Sequence, residues 1–562
     1  MMTLADYLIR YLYENGVSHV FGVSGANIED ILDSIARLDL PLRFILAKHE
    51  FSAGCMADGY SRVSRSLGVV MSTSGGGALN LVPALGESLA SEQPVLAIVG
   101  MPPQSLEGKG AFQDSSGLNG SLRGEDLFSA LASKYFAWVQ SVDDFPQQLQ
   151  QAIRQALTPP FGTSILLIPK NLQMQHLAEK PEIGIQIPIV ACDETCDSTL
   201  LETLLQICNK SKGSVLILVG EEIHRQNLEN DLCKLVERLN ARVAVTPEAK
   251  SAWSNESSRF VGVSGIAGHN SVLEAARVSR TIIVIGTRLQ LMSRLGLEPY
   301  LDSKTIIYLN TSAPCYDFSN NGQYVHILSG GLKTNLQTLT EQLPVSDSLM
   351  VTNSGLIYEK TNYFDSIESC ELCFESVFSL LNQAIHHEDI VFADAGNTGG
   401  AAIHYLKGAS FFAIALGMGG MGYALGASIG SCLKSGQRTW CVLGDGALLM
   451  HGMEIHTAIQ YGLPIRFIVF NNNAHAMCYD RDRLYLSGKT EANVFEKSQY
   501  GTGMAHMFPG FYSHDVNSRS DLRRHLLDLA DYRLPALLSI NLDYHEIPPF
   551  VPFLQRFRSI KT

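Results

Sequence analysis

The sequence has no excess of positive charge. Its 42 Lys and Arg face 55 Asp and Glu, for a formal charge of −13, with no basic run and no block of one sign. That argues against a partner held through a phosphate backbone, since nucleic-acid binders gather Lys and Arg on one face. Also lacking is an unbroken apolar run of about 18 residues, roughly what a bilayer-spanning helix needs. The nearest candidate, from about Phe411 to Leu425, is interrupted by Gly417, Gly419, Gly420 and Gly422, a glycine density that suits a tight turn beside a ligand. The opening MMTLADYLIRYLYENG has Asp6, no basic n-region and no small-residue cleavage site, so a cytoplasmic rather than secretory setting is expected. The 11 cysteines are scattered, as reduced thiols are. Cys370 and Cys373 form a lone C-x-x-C in ESCELCFESVFSLL, which reads as helix, and Cys192 and Cys196 lie in a polar stretch. With no second pair or histidine cluster, neither is read as a metal or redox site. There is no short-period repeat and no low-complexity segment.

What is present is length and alternation. At roughly 100–200 residues per domain, 562 residues suggest about three domains. In the first block, strand-like runs at Leu42–Leu46, Gly68–Met71, Val95–Val99 and Ser164–Ile168 alternate with helical patterns. The second block holds Ser214–Gly220, Arg242–Thr246, Thr281–Gly286 and Thr305–Asn310, and the third Asp389–Asp394, Thr439–Gly444, Arg466–Asn471 and Ala536–Asn541. Strands alternating with helices imply parallel sheets covered on both faces. The predicted fold class is α/β, with three consecutive doubly wound domains at 1–175, 190–345 and 363–545. A tail, 546–562, is expected to pack on a neighbouring domain. Polar, pattern-poor stretches at 173–197 and 344–362 read as linkers.

The most specific signal is LGDGALLMHGMEIHTAIQYGLPIRFIVFNNN, Leu443 to Asn473. One strand ends at Gly444-Asp445-Gly446, a helix with apolar Met453, Ile455, Ala458 and Ile459 follows, and the next strand ends at Asn471-Asn472. Asp445 and Asn472 then stand at the carboxyl ends of parallel strands, where ligands bind. A carboxylate and an amide oxygen suit a hard cation such as Mg²⁺, and the glycines let backbone N–H groups approach a diphosphate.

This pairing of G-D-G with adjacent asparagines resembles the signature of thiamine-diphosphate-dependent enzymes. AKHEFSAGCMADGYSRVSRSLGVVMSTSGGGALNLVPALGESLASEQPVLAIVG, Ala47 to Gly100, resembles the pyrimidine-binding region of the acetolactate synthase large-subunit group. The resemblance implies thiamine diphosphate and Mg²⁺. Glu50 falls on the motif glutamate, whose carboxyl bonds N1′ of the aminopyrimidine and favours the tautomer that deprotonates thiazolium C2. In ALGMGGMGYALGASIG, Ala415 to Gly430, it puts Met421 beneath the bent cofactor and Gly419 against the pyrimidine. In DAGNT it implicates Ala395, Gly396 and Asn397 in diphosphate binding, together with Gly444, Gly446 and Ala447. Asp445, Asn472 and Ala474 become the metal set. GKGAFQDSSG, Gly108 to Gly117, places Gln113 near the cofactor. In this family the site lies between the first domain of one subunit and the third of another, which implies a homodimer or homotetramer.

Departures shape the substrate expectation. GTRLQLMSRLG, Gly286 to Gly296, lacks the Asp-Asp-Arg run and acidic strand end that accompany FAD in the group, so FAD is not expected. The loop GMPPQSLEG lacks the His-His pair of simple 2-oxo acid decarboxylases. Where those enzymes place a glutamate after the paired asparagines, this chain has Cys478. Without that acid, the favoured reading is a carboligase that decarboxylates a 2-oxo acid and passes its acyl-anion equivalent to a carbonyl acceptor. An aldehyde-releasing decarboxylase and a non-catalytic cofactor-binding paralogue stand as alternatives. His475, next to the metal-binding asparagines, is either a general acid/base or a structural hydrogen-bonder. His451 and His456 are read as structural. GTGMAHMFPGFY, Gly501 to Tyr512, is a candidate lining for a pocket larger than pyruvate needs.

Overall fold

In the computed structural model, residues 2–178, 198–319, 324–344, 372–489 and 491–561 are described. Cys192, Cys196, Cys370 and most of both linkers lie outside them. Among the described residues, eighteen strands form three six-stranded sheets, parallel throughout. The first contains β1 (His19–Gly22), β2 (Arg43–Leu46), β3 (Gly68–Ser72), β4 (Val95–Met101), β5 (Tyr135–Trp138) and β6 (Thr163–Pro169). The second contains β7 (Val215–Val219), β8 (Arg242–Val245), β9 (Phe260–Val263), β10 (Thr281–Ile285), β11 (Thr305–Asn310) and β12 (Val325–Ser329). The third contains β13 (Ile390–Ala393), β14 (Phe411–Ile414), β15 (Thr439–Gly444), β16 (Ile465–Asn471), β17 (Tyr512–Val516) and β18 (Ala536–Asn541).

The first and third sheets share one strand order. It runs β2-β1-β3-β4-β6-β5 in the first and β14-β13-β15-β16-β18-β17 in the third, whereas the central sheet runs β12-β11-β10-β7-β8-β9. In the flanking sheets the chain reverses its direction of travel between the first and third strands, so a ligand crevice opens beside β1/β3 and beside β13/β15. The central strands are wholly buried runs, such as VLAIVGM in β4 and IRFIVFN in β16. Burying each large apolar side chain there contributes roughly 1.5–3 kcal/mol.

Equivalent helices of the two flanking domains pack together. Helix α1 (Glu50–Ser64) follows β2, and α2 (Gly76–Ala90) follows β3. In the third domain α3 (Asn397–Tyr405) follows β13, α4 (Tyr423–Ser435) follows β14, and α5 (Asp445–His451) follows β15. Helices α1 and α4 carry Gly54 and Gly59, and Gly426 and Gly430. A Cβ at Gly59 would strike the Ala427 backbone, and one at Gly430 the Met56 carbonyl. Glycine here is what lets two helix backbones touch. A buried Asp58–Arg62 pair (2.6 Å) and the hydroxyl of Tyr423 on Asp58 seal the junction, and one apolar core runs through both domains.

Two local readings change, at the C-x-x-C segment and after G-D-G. In ESCELCFESVFSLL, Leu372 and Cys373 stand outside a helix that runs from Phe374, with Cys373 capping it; residues 368–371 lie outside the described residues. The helix after G-D-G breaks at Gly452, turns through 3₁₀ geometry over Gly452–Glu454 and resumes at Ile455, leaving Met453 exposed rather than in the core. The tail forms a helix, Val551–Lys561, whose first N–H donates to the Ile266 carbonyl (3.0 Å) of the central domain.

Candidate active site

The third-domain crevice is lined by the ends of β13, β15 and β16. Asp445 is 1% exposed and receives the N–H groups of Gly446 (2.8 Å) and Asn473. Burial raises its carboxyl to about 6, against the pull of those N–H groups. No cation pairs with it among the described residues. Asn472 is also buried, and its Oδ1 accepts from the Ala474 N–H (3.2 Å). Asn473 takes the left-handed conformation (φ 54°), which turns the chain sharply enough to bring Ala474 back beside Asn472. A buried carboxylate without a counter-ion, beside an amide oxygen and a turn of backbone carbonyls, fits an oxygen-preferring dication.

The starts of α3 and α5 are shaped by glycine. Gly396 caps α3 with φ 94°, and a Cβ there would meet open space. A Cβ on Gly446 would sit 2.7 Å from His475 Nδ1 and 3.5 Å from the Met421 methyl. Gly446, His475 and Met421 therefore surround one small space. Gly444 precedes α5 as its N-cap residue, and Ala447 is buried in its first turn. Asn397 donates to Asp480 (3.0 Å), while its Oδ1 is buried with no partner among the described residues. Ala395 N–H is held by Asp394 (3.0 Å). Helices α3 and α5 both begin at this crevice, and a helix N-terminus favours an anion.

His475 anchors locally: its N–H donates to the Asn493 carbonyl (2.8 Å) and its ring meets Phe495 edge-on at 4.6 Å. Cys478, three residues on, is half-buried and accepts from Arg481 (3.1 Å). The segment beginning at Gly501 packs under the G-D-G helix, with the Met504 methyl near Gly452 and Phe508 beside His456. His451 stacks on Phe51 (4.4 Å) and lies 5.2 Å from His49, and burial lowers it to about 4.

The first domain assembles a second cluster. Glu50, 8% exposed, opens α1, and Asn80 of α2 donates to its Oε2 (2.9 Å). A Cβ on Gly77 would come within 2.9 Å of Glu50 Oε1, so the glycine turn exists partly to admit the carboxylate. Gln113, at φ 63°, lies against Gly75, with its Oε1 near the hydroxyls of Thr73 (3.4 Å) and Ser74 (3.5 Å).

Within one chain, the structure brings together Asp445, Asn472, Ala474, His475, Gly446 and Met421, and separately Glu50, Gln113 and the Ser74–Gly77 turn. Among the described residues no hydrogen bond or ion pair joins Glu50 or Gln113 to the Asp445 cluster. The flanking domains meet instead through Phe51, His451 and Glu454, which accepts the Lys48 N–H (3.1 Å). Asn80, Asp480 and Glu87 were not anticipated from sequence. Each is an ordinary helix residue until the fold supplies its partner, and only the position of Asn80 just after the glycine turn offered a hint.

Comparisons with known proteins agree with this division. Models of the N-terminal TPP binding domain, the central domain and the C-terminal TPP binding domain of thiamine pyrophosphate enzymes match residues 2–119, 201–325 and 394–540. A probable acetolactate synthase large subunit of Methanococcus aeolicus is 24% identical over 98% of this chain and 94% of its own length. The acetolactate synthase large subunit of Haemophilus influenzae is 26% identical over 86% of this chain and 85% of its own. The isozyme 1 large subunit of Escherichia coli is 24% identical over 98% and 96%. With both half-sites and all three domains accounted for, the chain belongs to the thiamine pyrophosphate enzymes and is a thiamine-diphosphate-dependent enzyme resembling the acetolactate synthase large subunits.

Proposed function

We propose that the protein is a Mg²⁺-dependent carboligase that decarboxylates a 2-oxo acid and joins the remaining acyl unit to a carbonyl acceptor. The observation that carries the reading is the buried, uncompensated Asp445 beside Asn472 at the switch point of the third sheet. Asp445, Asn472 and the Ala474 carbonyl would hold Mg²⁺. Ala395, Gly396, Asn397, Gly444, Gly446 and Ala447 would receive the diphosphate, and Gly419 and Met421 the pyrimidine. When bound, thiamine diphosphate supplies the electron sink for cleavage beside the carbonyl. Glu50, oriented by Asn80, would hold a proton at the pyrimidine, and Gln113 and His475 would act on the substrate carbonyl.

Carboligation is favoured over aldehyde release because Cys478 holds the position where aldehyde-releasing relatives place a glutamate. Asp480 is tied to Asn397 and Arg483, Asp394 to three backbone N–H groups, and Cys478 stands where a proton donor would be needed. An acyl-anion equivalent that is slow to take a proton survives to attack a carbonyl.

The active unit is a homo-oligomer in which Glu50 of one subunit completes the Asp445 cluster of another. Each cluster is incomplete in one chain and rimmed by exposed apolar side chains, Met418, Leu449, Met450 and Met453 on one and Leu79 and Phe112 on the other. A second copy is the occupant that covers both. FAD is absent from this reading. The central switch point, between β7 and β10, carries Glu221 and Glu222, with half-buried Glu248 close by, and Arg225 and Arg288 are engaged by Glu222 and Glu92. A dinucleotide's diphosphate would meet carboxylates there.

The test is a panel of 2-oxo acids, alone and paired with aldehydes or ketones, with thiamine diphosphate and Mg²⁺, followed for CO₂ and by mass spectrometry. Coupled products containing both carbonyl units support the carboligase. CO₂ with free aldehyde alone would replace it with the decarboxylase.

A further inference from the structure

The loop from Ala415 to Gly422, between β14 and α4, is pinned at both ends and open in the middle. At its start the N–H groups of Gly417 (3.2 Å) and Met418 (2.6 Å) donate to the two carboxylate oxygens of Glu87, which comes from α2 of the first domain. At its end the N–H groups of Gly422 (3.0 Å) and Ala424 (2.9 Å) donate to Asp394. Between the anchors, Gly419 is exposed in a left-handed conformation (φ 67°), followed by Gly420 and Met421.

Glu87 is 3% exposed and held in place itself. Ser91 donates to its Oε1 (2.7 Å), and Arg62 lies 3.8 Å away while already paired with Asp58. Two adjacent backbone N–H groups need two acceptor oxygens in one plane, which a carboxylate offers and an amide does not. The same helix that carries Glu87 at its C-terminal turn carries Asn80, the partner of Glu50, near its start.

We propose that Glu87 is a positioning residue for cofactor binding. It reaches across the domain boundary and sets where the Gly419 carbonyl and the Met421 N–H stand, and so fixes the seat of the pyrimidine without touching the diphosphate end. This rests on the thiamine-diphosphate reading above. A Glu87→Gln side chain keeps the size but turns an N–H₂ toward one backbone N–H, leaving a buried donor unpaired and the loop free to drift.

The experiment titrates the purified full-length chain, at saturating Mg²⁺, with thiamine diphosphate and separately with inorganic pyrophosphate, by isothermal calorimetry. In Glu87→Gln the Kd for thiamine diphosphate should rise about tenfold or more, while that for pyrophosphate stays within about twofold. Ser91→Ala, which loosens Glu87 but keeps the buried charge, should shift thiamine diphosphate in the same direction by about two- to fivefold and decides the matter if the first variant does not fold. Unchanged thiamine diphosphate affinity, or equal losses for both ligands, would overturn the role of Glu87. Failure of the parent protein to bind thiamine diphosphate would instead overturn the reading beneath it.

Discussion

Glu50 and Asp445 are both buried carboxylates placed just after a strand, yet their surroundings prepare them for different work. Asp445 is wrapped by backbone N–H groups and faces amide and carbonyl oxygens, an environment for a cation. Glu50 has a single side-chain donor, Asn80, and a glycine-lined space beside it. If Glu50 acts by proton exchange, Glu50→Gln should lower turnover at least about a hundredfold while the Kd for thiamine diphosphate changes far less. A variant with near-normal turnover would remove Glu50 from the mechanism. A second buried charge has a structural task. Lys250, 3% exposed, donates to the Ile403 carbonyl (2.7 Å) in the last turn of α3, flanked by His404 and His269 and near Lys407. Burial lowers it from 10.5 to about 7. Below about 7 both folded and unfolded chains hold the proton, and the fold carries the full cost of a buried charge. Between about 7 and 10.5 only the unfolded chain holds it, so stability rises with pH. Lys250→Met should therefore gain most over the parent at pH 6, the gap closing by about 1.4 kcal/mol per pH unit from 7 to 9. Urea denaturation across that range would show it, and a gap independent of pH would contradict it.

At the level of elements, the α1–α4 junction governs how the flanking domains meet. Because the backbones touch at Gly59 and Gly430, one methyl group has nowhere to go. Gly430→Ala should cost about 1–3 kcal/mol, seen as a lower melting temperature. It should also weaken thiamine diphosphate binding, because α4 begins where the Met421 loop ends. Normal stability in this variant would mean the junction is looser than described. This scale also shows which elements the sequence discloses. Interior strands such as β4, β10 and β16 are continuous apolar runs and were legible as such. The strands that escaped were β1 and the edges β5, β9, β12, β14 and β17. These strands are four or five residues long, too short for an apolar run to stand out, and β17, YSHDV, mixes polar and apolar residues like a loop. Among site residues, those in G-D-G, the paired asparagines and the glycine turn could be read because their spacing is itself chemical. Asn80, Glu87 and Asp480 could not, because their meaning arises only when separate elements come into contact.

For the molecule as a whole, the shared strand order of the first and third domains has a mechanical consequence. Two like domains present two unlike half-sites, and among the described residues of one chain no hydrogen bond or ion pair joins the Glu50 cluster to the Asp445 cluster. The central domain braces this pair, through Lys250 on α3 and through Arg225 and Arg288 on the carbonyls of Ser91 and Ala90 at the end of α2. We propose that Glu50 and Asp445 of one working site come from different subunits around thiamine diphosphate. The most direct measurement mixes Glu50→Gln and Asp445→Ala proteins, each inactive alone, under conditions that let subunits exchange. A mixed dimer contains one site with both lesions and one with neither. Equal mixing should thus restore about a quarter of the parent turnover. Turnover that stays at the level of the separate variants, despite demonstrated exchange, would mean that each site is built within a single chain.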